Sequence, residues 1–344
     1  MNILIVRVGA MGDVLHALPA VAALKRARPL WRVDWAVDPR WAPLLVDDER
    51  GPTVDMVHLV PAKEWSKSPL SPATLRSVLG LRKELRTEHY DLVVDMQGTL
   101  RSAVIGRMAG GQEFAGYADP RESLAASFYK RKIPRRGLHV VDQGAALLGD
   151  ACGLELTPAG VEIPRAQWAE EWASTEAVMQ RPMAVLAAGG GWGAKQWPAE
   201  RYGTLAVELK VMGFDVVVNA PRKEDAIAAR VVESSDGAAR IVVCNVAGLI
   251  SLLSRTDLLV GGDTGPTHLA AAMGVPVVAL FGPTAPERNG PWGPGAKLVL
   301  RDAASVTTYK RTEEPDAGLM NLSVETVVEA VKGLKEPTAD PLRG

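Results

Sequence analysis

The stretch VGGDTGPTHLAAAMGVPVVALFGPTAPER, residues 260–288, sets Asp263, Thr264, Gly265 and His268 in a turn that opens a small-residue helix between two apolar strands. Such a turn leaves backbone N–H groups free, with the positive end of the helix dipole behind them. Phosphate is the natural occupant of that seat. Asp263 and Thr264 could serve simply as helix caps. The flanking Gly262 and Gly265, with His268 one turn on, favour a ligand instead.

Three further positions carry chemistry by type and place. Lys195 follows the loop GGGWGA (residues 189–194) at the end of the strand MAVLAA, where it could neutralise a diphosphate or lie solvated on the surface. Glu224 follows the strand FDVVVNA, where a carboxylate could accept both hydroxyls of a ribose, or support a helix dipole as a first-turn acid. Asp13, at the end of the first strand, is either the N-cap of the next helix or a general base that takes a proton from an acceptor hydroxyl. His16, one turn further in, reads as packing, and Glu313 and Glu314 as part of a solvated loop.

GGGWGA also fits the G-x-G-x-x-A dinucleotide fingerprint. Two features count against it. The loop runs on into KQWP before a helix starts near Pro198, and the acid about twenty positions on, Asp215, begins its strand instead of ending it. A dehydrogenase is therefore disfavoured. The glycines retain a use, because they let backbone approach a ligand closely. There is no strict D-x-D and no His/Cys/Asp cluster with metal-ligand spacing. No metal is expected, and a departing diphosphate would have to be stabilised by Lys195, backbone N–H groups and a helix end.

These residues need a scaffold, and strand and helix patterns alternate along most of the chain, which predicts parallel sheets covered by helices. NILIVRV, RVDWAV, VDMVHLV and YDLVVDM read as strands, with helices from about residue 13 to 28, near 72–88, after Gln97, near 121–129 and at 138–151. Pro, Gly and charge cluster between about Gly153 and Pro182. A second series then follows: strands PMAVLAA, FDVVVNA, IVVCN, DLLVGG, the strand before FGPT and one near 297–300, with helices after Pro198, at 223–234, 248–254, after Gly265 and at 323–334. The expectation is an α/β protein of two Rossmann-like, doubly wound domains facing an interdomain cleft. Residues 1–160 form the first, 161–182 the linker, 183–335 the second and 336–344 a polar tail. Ligands in such sheets sit beyond the carboxyl ends of the strands.

Bulk properties fit. At 344 residues the chain exceeds one typical core. Two cysteines, Cys152 and Cys244, without CxxC spacing, indicate a reducing compartment. Arg7 and Asp13 interrupt the apolar N-terminus, so it reads as strand entering helix and not as a signal peptide. A cytoplasmic protein that does not cross a membrane is expected. The formal net charge of −1 conceals 14 Lys/Arg against 8 Asp/Glu in residues 61–140. That basic window points to an anionic partner. It lacks the aromatic interleaving of a nucleic-acid surface, so no nucleic acid is expected.

ILIVRVGAMGDVLHALPAVAALK at the start and GGDTGPTHLAAAMGVPVVALFGPT near the end together resemble family 9 glycosyltransferases, the ADP-heptose:lipopolysaccharide heptosyltransferases. The segment ADPRESLAASFYKRK (118–132) is similar to one in the heptosyltransferase I members. The resemblance implies a GT-B fold and inverting transfer of heptose from ADP-L-glycero-D-manno-heptose to the Kdo of Kdo-lipid A. By matched position, Asp13 would be the base, Lys195 would contact the diphosphate and Glu224 the adenosine ribose. Asp263, Thr264, Gly265 and His268 would hold the donor heptose and phosphates. Arg121, with Lys63 and Lys67 from the loop before the 72–88 helix, would bind the acidic acceptor. Gly190 and Gly191 stand where heptosyltransferase I tends to carry hydroxyl side chains, so backbone groups would contact phosphate there. No cofactor is implied, since ADP-heptose is a substrate. A monomer at the cytoplasmic face of the inner membrane is expected. A heptosyltransferase II or another family 9 acceptor, a nucleotide-sugar epimerase, and a non-catalytic sugar-nucleotide binder remain the alternatives.

Overall fold

The computed structural model describes residues 1–47, 53–176, 180–308 and 312–335. The tail at 336–344 and residues 177–179 of the expected linker lie outside the described residues. The chain forms two compact units, Met1–Ala166 and Gln167–Gly344.

Unit 1 runs β1 (Asn2–Val6), α1 (Met11–Ala27), β2 (Arg32–Val37), β3 (Met56–Leu59), α2 (Ala62–Lys67) and α3 (Pro72–Thr87). It continues with β4 (Leu92–Asp95), α4 (Leu100–Ala109), β5 (Glu113–Tyr117), β6 (Arg131–Ile133) and α5 (Val140–Cys152). Its sheet has the order β3-β2-β1-β4-β5-β6, and every pairing is parallel. The central strands are buried on both faces, which is why NILIV and LVVD are nearly continuous apolar runs. Helix α1 is apolar almost all round because it is buried almost all round.

Unit 2 begins with α6 (Gln167–Glu176), then β7 (Met183–Ala187), α7 (Ala199–Val211), β8 (Asp215–Ala220), α8 (Ala226–Glu233), β9 (Ala239–Val243) and α9 (Val246–Leu253). It closes with β10 (Leu258–Gly262), α10 (Gly265–Ala272), β11 (Val277–Leu280), α11 (Pro286–Asn289), β12 (Lys297–Leu300), α12 (Ala317–Asn321) and α13 (Val324–Lys335). The sheet order β12-β11-β10-β7-β8-β9 repeats that of unit 1, again all parallel. Trp197 and Tyr202 are its largest aromatic anchors, edge to face at 4.9 Å, with the indole N–H donating to the Leu322 carbonyl at 2.9 Å.

Several elements differ from the sequence reading. Strand β5 and the short β6 escaped it, because EFAGY and RKI carry few β-branched residues and β6 lies at the sheet edge. The pattern near 121–129 is a 3₁₀ turn, Ser123–Phe128, and not an α-helix. Residues 62–67, read as loop, form α2. The stretch expected as linker holds α6, which docks on unit 2: Glu170 pairs with Arg255 at 3.7 Å, and Trp172 packs by Gly248 of α9.

Candidate active site

In each sheet the strand order reverses between the first and fourth strands of the series, and ligands in doubly wound sheets collect beyond that point. In unit 2 the reversal falls between β7 and β10, and the loops after those strands carry Lys195 and Asp263.

Asp263 follows β10 directly, and its side chain is 7% exposed. Being a carboxylate, it only accepts hydrogen bonds. His268 Nε2 donates to Oδ1 at 2.8 Å, the Thr284 hydroxyl donates to Oδ2 at 2.7 Å, and Lys195 Nζ forms an ion pair with the same oxygen. Burial alone would push this carboxyl up, but His268 and Lys195 outweigh it and hold the group well below the usual carboxylate range. Asp263 does not cap α10. Thr264 occupies the N-cap position, yet its side chain makes no capping bond and lies 3.4 Å from the Thr267 hydroxyl. The N-terminal N–H groups of α10 therefore gain no side-chain cap from either residue.

Lys195 ends a 3₁₀ turn, Gly193–Lys195, and is not a solvated surface lysine: its side chain is 15% exposed, and Nζ lies 4.4 Å from the centre of the Trp192 ring. Two glycines permit this. A Cβ on Gly193 would sit 2.1 Å from the Glu313 carbonyl oxygen, and one on Gly262 would sit 2.9 Å from the Lys195 carbonyl oxygen. The backbone at Glu313, read from sequence as a solvated loop, thus braces the lysine turn from behind, with Ala194 N–H donating to the Thr312 carbonyl at 3.1 Å. Gly190 is held by the Gln196 side-chain amide at 2.8 Å, and Gly191 beside it is exposed. Gly190, Lys195, Asp263, Thr264, Gly265 and His268 come together on these two loops. Glu224 is exposed in the turn before α8, ahead of the N-cap Asp225, so it is not a first-turn acid. Among the described residues no hydrogen bond joins it to the cluster.

In unit 1 Asp13 is the third residue of α1, and the N-cap is Ala10. The carboxylate accepts the Ala10 N–H at 3.1 Å and pairs with Arg7 at 2.8 Å, with 40% of the side chain exposed. Arg7 also donates to the Met96 carbonyl, which ties the ends of β1 and β4 together. Asp95, ending β4, is fully buried; it accepts from the Gln97 and Gly98 N–H groups and the Ser102 and Tyr129 hydroxyls. These bonds fix the loop on which Arg121 rests, since the Glu122 N–H donates to the Gly98 carbonyl and the Glu122 carboxylate accepts from Leu100 N–H at 2.8 Å. Arg121 itself is exposed. Lys63 and Lys67 are exposed one turn apart on α2. His16 is buried, its ring edge-on to His139 at 5.7 Å.

Sequence reasoning missed Arg7, Trp192, Thr284 and the brace at 312–313. Arg7 and Thr284 did carry a signal, as polar residues at the carboxyl ends of apolar strands. The brace had none, since it is a backbone contact across more than a hundred residues. Among the described residues no three His, Cys, Asp or Glu side chains converge as a metal-binding set, and no helix is long and apolar enough to cross a membrane.

Two doubly wound parallel sheets, with the Lys195–Asp263–His268 cluster at the carboxyl edge of the second, define a protein of the GT-B class. The family model for glycosyltransferase family 9 (heptosyltransferase) matches residues 78–316. Lipopolysaccharide heptosyltransferase 1 of Pseudomonas aeruginosa is 31% identical over 339 residues, 94% of this chain and 92% of that protein. The Escherichia coli K12 enzyme of the same name is 28% identical, across 97% of this chain and 100% of its own length. The solved structure of E. coli heptosyltransferase WaaC with ADP superposes with a TM-score of 0.80 at 25% identity, covering 97% of this chain and 100% of that one. The chain belongs to glycosyltransferase family 9, and it is a glycosyltransferase.

Proposed function

We propose that the protein transfers heptose from ADP-L-glycero-D-manno-heptose to the Kdo of Kdo-lipid A, with inversion, in lipopolysaccharide inner-core synthesis. The observation that carries this reading is the buried Lys195–Asp263–His268 network at the start of α10, in a chain related over nearly its whole length to named heptosyltransferases. Unit 2 takes the donor. Lys195, the N–H groups at the start of α10 and those of Gly190 and Gly191 neutralise the diphosphate. Asp263 holds Lys195, His268 and Thr284 in register, Thr264, Gly265 and His268 bound the sugar, and Glu224 accepts the adenosine ribose hydroxyls.

Unit 1 takes the acceptor. Arg121, Lys63 and Lys67 pair with Kdo carboxylates and lipid A phosphates. Asp13 removes the proton from the Kdo hydroxyl as its oxygen bonds to the anomeric carbon and the bond to the diphosphate breaks, releasing ADP. Arg7 orients that carboxylate and leaves part of it accessible. The enzyme works as a monomer, peripheral to the cytoplasmic face of the inner membrane.

The test offers labelled ADP-heptose with Kdo-lipid A and, separately, with heptosylated Kdo-lipid A. Label should enter only the first. Transfer only to the second would move the enzyme to another acceptor within the family, and donor consumption without any acceptor would identify an epimerase.

A further inference from the structure

Helix α3 buries Leu81 and Leu85, with Thr74 and Val78 partly covered on the same side. At 100° per residue the opposite face presents Leu75, Arg76, Leu79, Arg82, Lys83 and Arg86, every one of them exposed. Leu75 is 50% and Leu79 60% exposed, and Leu70, in the connection from α2, is 86% exposed. No carboxylate lies on that face. The one acid within the helix, Glu84, lies off that face, half-exposed at its flank, with its carboxylate paired to His58 of β3. Arg86 also donates to the Met108 carbonyl of α4 at 3.2 Å and so serves the fold, but two exposed leucines beside Arg76, Arg82 and Lys83 cost apolar exposure in water. That is the pattern of a helix that lies on an anionic bilayer.

The hairpin that carries this face is cross-linked by hydrogen bonds. Trp65 of α2 donates its indole N–H to the Ser77 hydroxyl of α3 at 3.1 Å, and the Thr74 hydroxyl donates to the Ser68 carbonyl at 2.8 Å. Ser71 caps α3 through the Thr74 N–H at 3.1 Å. The acceptor-side cations Lys63 and Lys67 and the leucine–cation face thus share one cross-linked element.

We propose that the outer face of α3, with Leu70 at its entrance, is the surface by which the enzyme docks on a bilayer of anionic lipid. This rests on the reading that the acceptor is lipid-anchored, and it adds the site of contact: cations pair with headgroup phosphates while Leu70, Leu75 and Leu79 enter the interface. Docking there holds Lys63 and Lys67 at headgroup height, where the sugar of a lipid-anchored acceptor lies.

The test is flotation of the full chain with vesicles of phosphatidylcholine alone and of equal parts phosphatidylcholine and phosphatidylglycerol. The wild type should bind only the anionic vesicles, and less as salt rises. R82E/K83E should bind them at least about thirtyfold more weakly, and L75S/L79S should lose the binding that persists at high salt. Both pairs are solvent-facing, and both variants should transfer heptose normally to acceptor dispersed in detergent. Undiminished vesicle binding by R82E/K83E would overturn the proposal. So would equal binding to neutral vesicles, or a dimer of the wild type that L75S/L79S abolishes, which would assign the face to a second copy of this chain. Absence of transfer by the wild type would sink the acceptor assignment instead, and flotation reads the docking surface independently of it.

Discussion

Each unit buries a network of charges, and the two networks do different work. In unit 1, His58 Nε2 faces the Tyr90 hydroxyl at 2.7 Å, Tyr90 donates to Asp34 at 2.7 Å, and Nδ1 faces Glu84. Because Tyr90 spends its proton on Asp34 and Glu84 is acceptor-only, both ring nitrogens donate, and His58 is an imidazolium. That network joins Asp34 of β2, His58 of β3, Glu84 of α3 and Tyr90 ahead of β4, and none of its members lies in a loop after a strand's carboxyl end, so it stabilises a scaffold. In unit 2 the Lys195–Asp263–His268 network sits at the end of β10, where the backbone turns into α10. Burial and perturbed titration are common to both. By position relative to the carboxyl edge, only the second is a candidate site.

Asp13 and Asp263 sharpen the contrast. Asp263 accepts from three side-chain donors that hold it ionised, which does not suit a base. Asp13 has one cation, one N–H and an accessible side, which suits a base. Asp13→Ala should lower turnover by roughly 10²–10⁴-fold with ADP affinity unchanged by calorimetry. If turnover falls equally in Asp263→Asn while Asp13→Ala stays active, the two roles are reversed.

Lys195→Ala should weaken ADP binding about ten- to a hundredfold, as for loss of a charge-assisted contact. Asp263→Asn should in addition cost about 3–5 kcal/mol of stability by denaturant unfolding, since it strands a buried partner. An Asp263→Asn protein as stable as the wild type would break the claim that this network is closed.

His58 tests the strut. Burial lowers its pKa, but Asp34 and Glu84 more than compensate, and the folded value is raised. The folded chain therefore holds this proton more tightly than the unfolded chain. The stabilisation is fully present below the unfolded value of about 6.5 and is lost as pH rises through the folded value. His58→Gln should flatten the fall in Tm over that window and leave ADP affinity untouched. A pH profile identical to that of the wild type would remove the imidazolium.

The smallest expected effect is at Trp192. Trp192→Leu should weaken ADP binding by about three- to tenfold by exposing the Lys195 ammonium to water, and Trp192→Phe should restore most of it. Equal losses in the two variants would assign Trp192 to packing.

Much of this was legible in the chain. Apolar runs marked ten of the strands; the central ones are buried on both faces and so are apolar almost throughout. The glycines at 262 and 265 marked the junction of β10 and α10, because a tight strand–turn–helix junction needs small residues at that spacing. Lys63 and Lys67 could be picked out as cations, but not placed on a helix, since α2 is short and enters through Pro61 with no side-chain cap.

Sequence by itself determined the two doubly wound series and the residues at their strand ends, because local periodicity and turn chemistry act over a few positions. Only tertiary structure decided that Asp263 is held by Lys195 across 68 positions and that the Glu313 backbone braces the lysine turn. Pairings of that kind follow from strand order and close backbone approach, which no local pattern encodes.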